Sequence, residues 1–191
     1  MTVTVTPATF NFVEFDAGLI TRVAEELAAS MKLERDIHID VDETTPLVKI
    51  LVEVPSADRD PIVVRADSGA FEDTRRPRHQ SENATATALG RVLYRASDRL
   101  GGGFGEAPPD NELTLAQMAA WEAYCVGRLQ RLGIQQNHQR WLYNFRNRHG
   151  FTDAGDSSFD LLWTSDGLTW GELQAISEEA IGFARQPEVS A

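Results

Sequence analysis

Two glutamates fall where helical spacing asks for apolar side chains. On a helix over residues 113–132, Leu115, Met118, Ala119, Val126 and Leu129 make one stripe, and Glu122 lies near its middle. On the helix before it, Glu82 shares a side with Leu89, Val92 and Ala96. A carboxylate taken out of water needs a partner, a metal or a shifted pKa, so two inward glutamates are site candidates. His79, three residues before Glu82, reads as a surface-loop histidine, with a rebuilt site beside Glu82 and Glu122 as its alternative role.

Other groups carry weaker chemistry. His38, Asp40 and Asp42 alternate with Ile37, Ile39 and Val41, which reads as the wet face of a half-buried strand rather than as a ligand row. The run Gly101-Gly-Gly-Phe-Gly105 follows a helix and lacks a Lys-Ser or Lys-Thr pair, so it is expected to stop that helix and not to cradle phosphate. His138, Arg140, Arg146, Arg148 and His149 interleave with Trp141, Tyr143 and Phe145, a composition able to hold phosphates or stack bases. Helical spacing of Trp141, Leu142 and Phe145 instead predicts an inward face, with the arginines solvated or paired with the acidic C-terminal segment. The single cysteine, Cys125, falls in an apolar stripe and is expected in the core.

The elements that must position these groups can be placed from periodicity. Residues 10–15 alternate as a strand, and Asp16 offers an N-cap to a helix ending near Leu33. Strands are predicted at 37–41, 47–54 and 62–65, the first two joined by an Asp-Glu-Thr-Thr-Pro hairpin turn. After Arg75-Arg-Pro-Arg78 the period changes to helical, with a first helix running into Gly101. Thr114 to Gln117 reads as a capping box opening a helix to about Leu132, a shorter helix covers His138 to Arg148, and a second box at Thr169 to Glu172 opens a last helix ending before Pro187. The fold class is therefore α+β: a small mixed, mainly antiparallel sheet near the N-terminus, then a helical C-terminal half. One domain over residues 1–187 with a loose tail at 188–191 is expected.

The stretch Ser81-Glu82-Asn83-Ala84-Thr85 resembles the His-Glu-x-x-His helix of zincin metallopeptidases, and Ala120-Trp-Glu122-Ala-Tyr looks like the third-ligand helix of their glutamate-ligand branch. The resemblance covers about residues 10 to 132 and implies a zincin-like layout, in which an edge strand at Ile62 to Phe71 lines a substrate cleft. It also implies that the metal site is lost. Ser81 and Thr85 stand where imidazoles would bind zinc, leaving Glu82 as a relic general base, with no metal or cofactor expected. The competing reading makes Glu82 a favourable charge at a helix N-terminus and has Glu122 bond Arg91 or Arg95.

Charge bears on partners. The 191-residue chain has a net charge of -11, but residues 75–149 carry 11 basic and 6 acidic side chains between two acidic flanks. No apolar run is long enough to span a bilayer and no signal-peptide pattern opens the chain, so a cytoplasmic location and no membrane association are expected. The leading functional expectation is a non-catalytic zincin-like domain with a binding or regulatory role, including a protein partner. The alternatives are an interaction module using the basic segment 75–149 on an acidic partner or nucleic acid, and a metal-dependent hydrolase using Glu82 and Glu122.

Overall fold

The computed structural model describes residues 1–56 and 60–184. The chain divides into two compact units, Met1–Gly102 and Gly103–Ala191. The α+β class holds, with a mixed four-stranded sheet near the N-terminus and a helical C-terminal half. The expected end of the last helix before Pro187 and the tail at 188–191 lie outside the described residues.

In the first unit, β1 (Val3–Thr6), α1 (Ala17–Ser30), β2 (Ile37–Asp42), β3 (Ile50–Glu53) and β4 (Ile62–Asp67) precede a two-stranded hairpin, β5 (Glu72–Asp73) and β6 (Arg76–Gln80), and then α2 (Glu82–Leu100). The sheet order is β1-β2-β4-β3. Two of its three pairings are parallel, β1 with β2 and β2 with β4, and only β3 with β4 is antiparallel, so the expected antiparallel bias is corrected. The hairpin expected between β2 and β3 does not form either. Its turn chemistry is real, because Asp42 accepts hydrogen bonds from the Thr44 amide and from the hydroxyls of Thr44 and Thr45. The chain leaving that turn nevertheless crosses over β4, with the Thr45 carbonyl accepting from the Ser68 amide at 3.0 Å. A turn motif fixes local direction, while the choice of neighbouring strand is non-local.

One face of the sheet is apolar. Ile37, Ile39, Ile62 and Val64 are at most 1% exposed, and burying each contributes about 1.5–3 kcal/mol. They are covered from the α1 and α2 side, where Ile20, Val23 and Leu27 and then Leu89, Val92 and Leu93 form the matching stripes. Asp16 caps α1 as expected, accepting from the Gly18 amide at 2.8 Å. Residues 10–15 do not form the predicted strand. The Glu43 carboxylate takes the Asn11 and Phe12 amides at 2.6 and 2.7 Å, and only Glu14 bridges to another segment, at His79.

The second unit contains α3 (Leu115–Arg131), α4 (His138–His149), α5 (Asp153–Thr164) and α6 (Trp170–Ala184). Both capping boxes predicted from sequence are made, at Thr114 with Gln117 and at Thr169 with Glu172. The helix α5 is an addition to the predicted set. Central α3 is wrapped on nearly all sides: Trp121, Tyr124, Cys125, Val126 and Leu129 are at most 1% exposed, whereas Leu115 is exposed. Phe104 stacks on Trp121 with centroids 4.8 Å apart, and Trp170 tilts against Trp121 at 5.3 Å. Such pairs add about 0.5–1.5 kcal/mol beyond burial.

Where α3 meets α5 the backbones nearly touch. A Cβ at Gly127 would overlap the Trp163 carbonyl and come within 2.8 Å of Trp163 Cα, so only glycine fits. All four tryptophans, Trp121, Trp141, Trp163 and Trp170, belong to this unit, so their fluorescence reports on it. Urea titration followed by that fluorescence should show Gly127→Ala destabilised by about 1–3 kcal/mol or more. Gly171→Ala, where a Cβ meets nothing within 4 Å, should be neutral or slightly stabilising.

His149, 1% exposed, stacks on Phe145 with centroids 3.7 Å apart. Its Nδ1 faces the Phe145 carbonyl at 3.1 Å, and a carbonyl only accepts, so Nδ1 carries the proton and Nε2 accepts from Ser177 Oγ at 2.8 Å. Burial pushes the imidazole pKa below its ordinary value, only partly offset by the Phe145 carbonyl. The unfolded chain therefore takes this proton first, and stability should fall as pH drops through about 6.5. Urea midpoints measured at neutral and mildly acid pH should show that decline, and His149→Gln should flatten it.

Candidate binding face on the fourth helix

The glutamates singled out by periodicity are placed unequally. Ser81 is the N-cap of α2, with extended backbone and its Oγ accepting from the Ala84 amide at 3.2 Å, and Glu82 is the first helical residue. Glu82 points outward. Its side chain is 61% exposed and accepts from Arg22 Nη2 at 3.0 Å. That corrects the inward placement and matches the helix-terminus reading, in which a carboxylate in the first turn meets unpaired amides. A ligand pair at i and i+4 needs both residues inside one helix, and Ser81 lies outside it. Thr85 is fully buried and accepts from Gln80 Nε2 at 3.3 Å.

His79 sits on β6 with Nδ1 2.9 Å from Glu14 Oε2, itself an exposed carboxylate. The strand expected to edge a cleft, at Ile62 to Phe71, contributes β4, which is interior between β2 and β3. Glu122 belongs to the second unit, is half-buried, and accepts from Asn144 Nδ2 at 3.4 Å. On the sheet's wet face His38 Nδ1 lies 2.9 Å from Thr4 Oγ1, and the Asp42 carboxyl is held at about 2 chiefly by the Thr44 hydroxyl, then by that of Thr45. Among the described residues no group of three or more His, Cys, Asp or Glu side chains is arranged to hold a metal ion.

The basic and aromatic residues of α4 are sorted more sharply. Asn137 caps the helix by accepting from the Arg140 amide at 3.1 Å. Leu142, Phe145 and His149 turn inward, and half-buried Trp141 donates from Nε1 to Gln136 Oε1 at 3.1 Å. Arg146 is paired with the acidic C-terminal segment, donating from Nε to Asp156 at 2.7 Å and from Nη2 to the same carboxylate. The hydrogen bonds between them, and then their opposite charges, raise the guanidinium pKa and hold the Asp156 carboxyl below its usual range. Helix α5 also grips the start of α4, through His138 Nε2 to Asp160 at 3.3 Å and the edges of Phe159 and Trp163.

What remains outward is Gln139, Arg140, Tyr143, Asn147 and Arg148, joined by Phe151 just past the helix end. Tyr143 is 59% and Phe151 62% exposed, and their rings meet edge-on at 5.8 Å. Arg146 lies 6.0 Å from the Phe151 ring centroid, so the locked Arg146–Asp156 pair helps hold that ring in place. The Arg140 and Arg148 guanidiniums have no partner among the described residues. Phe151 was not a sequence candidate, because it follows Gly150, whose φ of 103° ends the helix, and so lies beyond the helical period. Exposed aromatics one turn from the unpaired Arg140 give an amphipathic contact surface suited to apolar and anionic groups together.

The outward position of Glu82 has a measurable consequence. Its pair with Arg22 is solvent-screened, so Glu82→Ala should leave the urea midpoint followed by far-UV circular dichroism close to that of the parent protein. A large loss would restore the inward reading. Compared with family models, with curated proteins and with solved structures, this chain matches none.

Proposed function

We propose that this chain acts by binding and not by catalysis, and that the outward face of α4 docks an acidic, partly apolar segment of a protein partner. One observation carries the reading: the preassembled Tyr143–Phe151 ring pair lies one helical turn from Arg140, whose charge is unspent within the described residues, with exposed Arg148 on the flank of the same helix. Aromatic and arginine side chains are the residues that most often anchor interfaces. Nucleic acid is a poorer fit, because the basic segment is flanked by two acidic ones in a chain of net charge -11, and a long polyanion meets all of that field.

A hydrolytic reading finds little support in the side chains it would use. Glu82 is exposed and paired with Arg22, half-buried His79 faces the Glu14 carboxylate, and Ser81 is spent on capping α2. The resemblance to zincins therefore enters this proposal only as a non-catalytic layout. Among the described residues no helix is long and apolar enough to cross a membrane, and the buried Cys125, outside any disulfide, suits the reducing cytoplasm in which the proposal places the protein.

The test uses a fluorescent peptide alternating aspartate and leucine, with a polyglutamate peptide and an oligothymidylate as comparisons. Anisotropy should show the aspartate-leucine peptide binding best, and weakening as salt rises from about 50 to about 500 mM. Arg140→Ala and Tyr143→Ala should each weaken it about tenfold. No binding at low salt, or binding indifferent to both substitutions, rejects the α4 face; preference for the oligonucleotide rejects the protein partner.

A further inference from the structure

The first unit carries a second concentration of positive charge with no role in the reading above. Between β5 and β6 the turn Thr74–Arg75 and the start of β6 set three exposed arginines, Arg75, Arg76 and Arg78, into four consecutive residues. They stand out against residues 1–74, which hold 6 basic and 15 acidic side chains.

The hairpin is held at both ends. At the tip, Asp73 accepts from the Arg75 amide at 2.9 Å and from Arg76 Nε at 3.5 Å. These hydrogen bonds, that of the Arg75 amide first, keep the Asp73 carboxyl below its usual range and therefore ionised. At the base, the Ser81 amide donates to the Phe71 carbonyl at 2.9 Å, and the Glu14 amide donates to the Arg78 carbonyl at 2.8 Å. That last bond helps fix Arg78 with φ 65°, a left-handed conformation unfavourable for a residue bearing a Cβ. An arginine is kept where glycine would be easier. Among the described residues the Arg75 and Arg78 guanidiniums make no hydrogen bond or ion pair, though Arg75 feels the Asp73 charge, while Arg76 remains 68% exposed despite Asp73.

Size decides which anion fits. Three successive Cα steps span at most about 10 Å, close to the physiological screening length of about 8 Å. A compact dianion at the tip therefore feels the arginines more strongly than the acidic body, whereas an extended polyanion reaches across that body and is repelled. Guanidinium forks match phosphate oxygens, and a phosphomonoester concentrates a charge of about -1.5 to -2 on three of them.

We propose that the β5–β6 hairpin is a recognition site for a phosphorylated side chain on a protein partner. Arg75 and Arg78 are its free ligands, and Arg76, oriented by Asp73, completes the cluster. The proposal is independent of the α4 face, since its residues and its ligand differ.

The experiment titrates the full chain with a labelled short peptide containing one phosphoserine, its unphosphorylated twin, and a labelled oligothymidylate. Binding should require the phosphate, be competed by inorganic phosphate, and weaken about tenfold or more in the Arg75→Ala, Arg78→Ala double variant. Circular dichroism of that variant should match the parent, and Arg78→Gly, which relieves the backbone while removing the charge, should also bind weakly. Absence of phosphate-dependent binding at low salt overturns the proposal. So does binding that survives the double variant, or tighter binding of the oligonucleotide.

Discussion

The close approach of α3 and α5 at Gly127 and Trp163 is the contact on which the second unit depends. With no side chain at Gly127 the helices come together at backbone distance, and the position of α5 follows from that. Arg131, one turn further along α3, donates to the carbonyls of Trp163 and Ser165 at 2.7 and 2.6 Å and so satisfies the end of α5. From there α5 reaches α4 twice, through Asp160 to His138 and through Asp156 to Arg146. The outward face of α4 is thus held at both ends by a helix whose placement rests on one missing methyl group.

The first unit rests on a different constraint. Its parallel ladders require strands whose ends are far apart in the chain, so β1 reaches β2 through α1, and β4 enters between β2 and β3. Gly69 lies beneath Pro46 and Leu47, where a Cβ would sit 2.7 Å from the Leu47 carbonyl oxygen, and this lets the crossing loop settle on the end of β4. Carboxylates then finish what the ladders leave open. Glu43 takes the amides of residues 11 and 12, Asp42 closes its own turn, and Asp73 braces the arginine hairpin.

The candidate chemistry changed character between sequence and structure for a reason visible at Ser81. A serine followed by a glutamate reads equally as part of a degenerate ligand motif and as an N-cap with an acid in the first turn. The backbone separates them, because Ser81 is extended and outside the helix. The wheel for α3 misjudged Leu115 and understated the rest, since alanines, glycine and aromatics surround that helix on faces a single apolar stripe does not describe. Helix α5 escaped notice because its buried residues include Gly155 and Ser158, which pack by being small and give no apolar period.

Sequence by itself determined the features whose physics is local. The caps at Asp16, Thr114 and Thr169, the helix stop at Gly101, the alternation of β2 and the inward set Leu142 and Phe145 each depend on residues within a turn or two, so their types and spacing suffice. Tertiary structure alone decided the strand order, the outward turn of Glu82, the closeness of Gly127 to Trp163, and the meeting of Tyr143 with Phe151. These are choices among distant partners, settled by which packing buries most apolar surface while leaving each charge hydrated or paired, and no short window of sequence contains both sides of that balance.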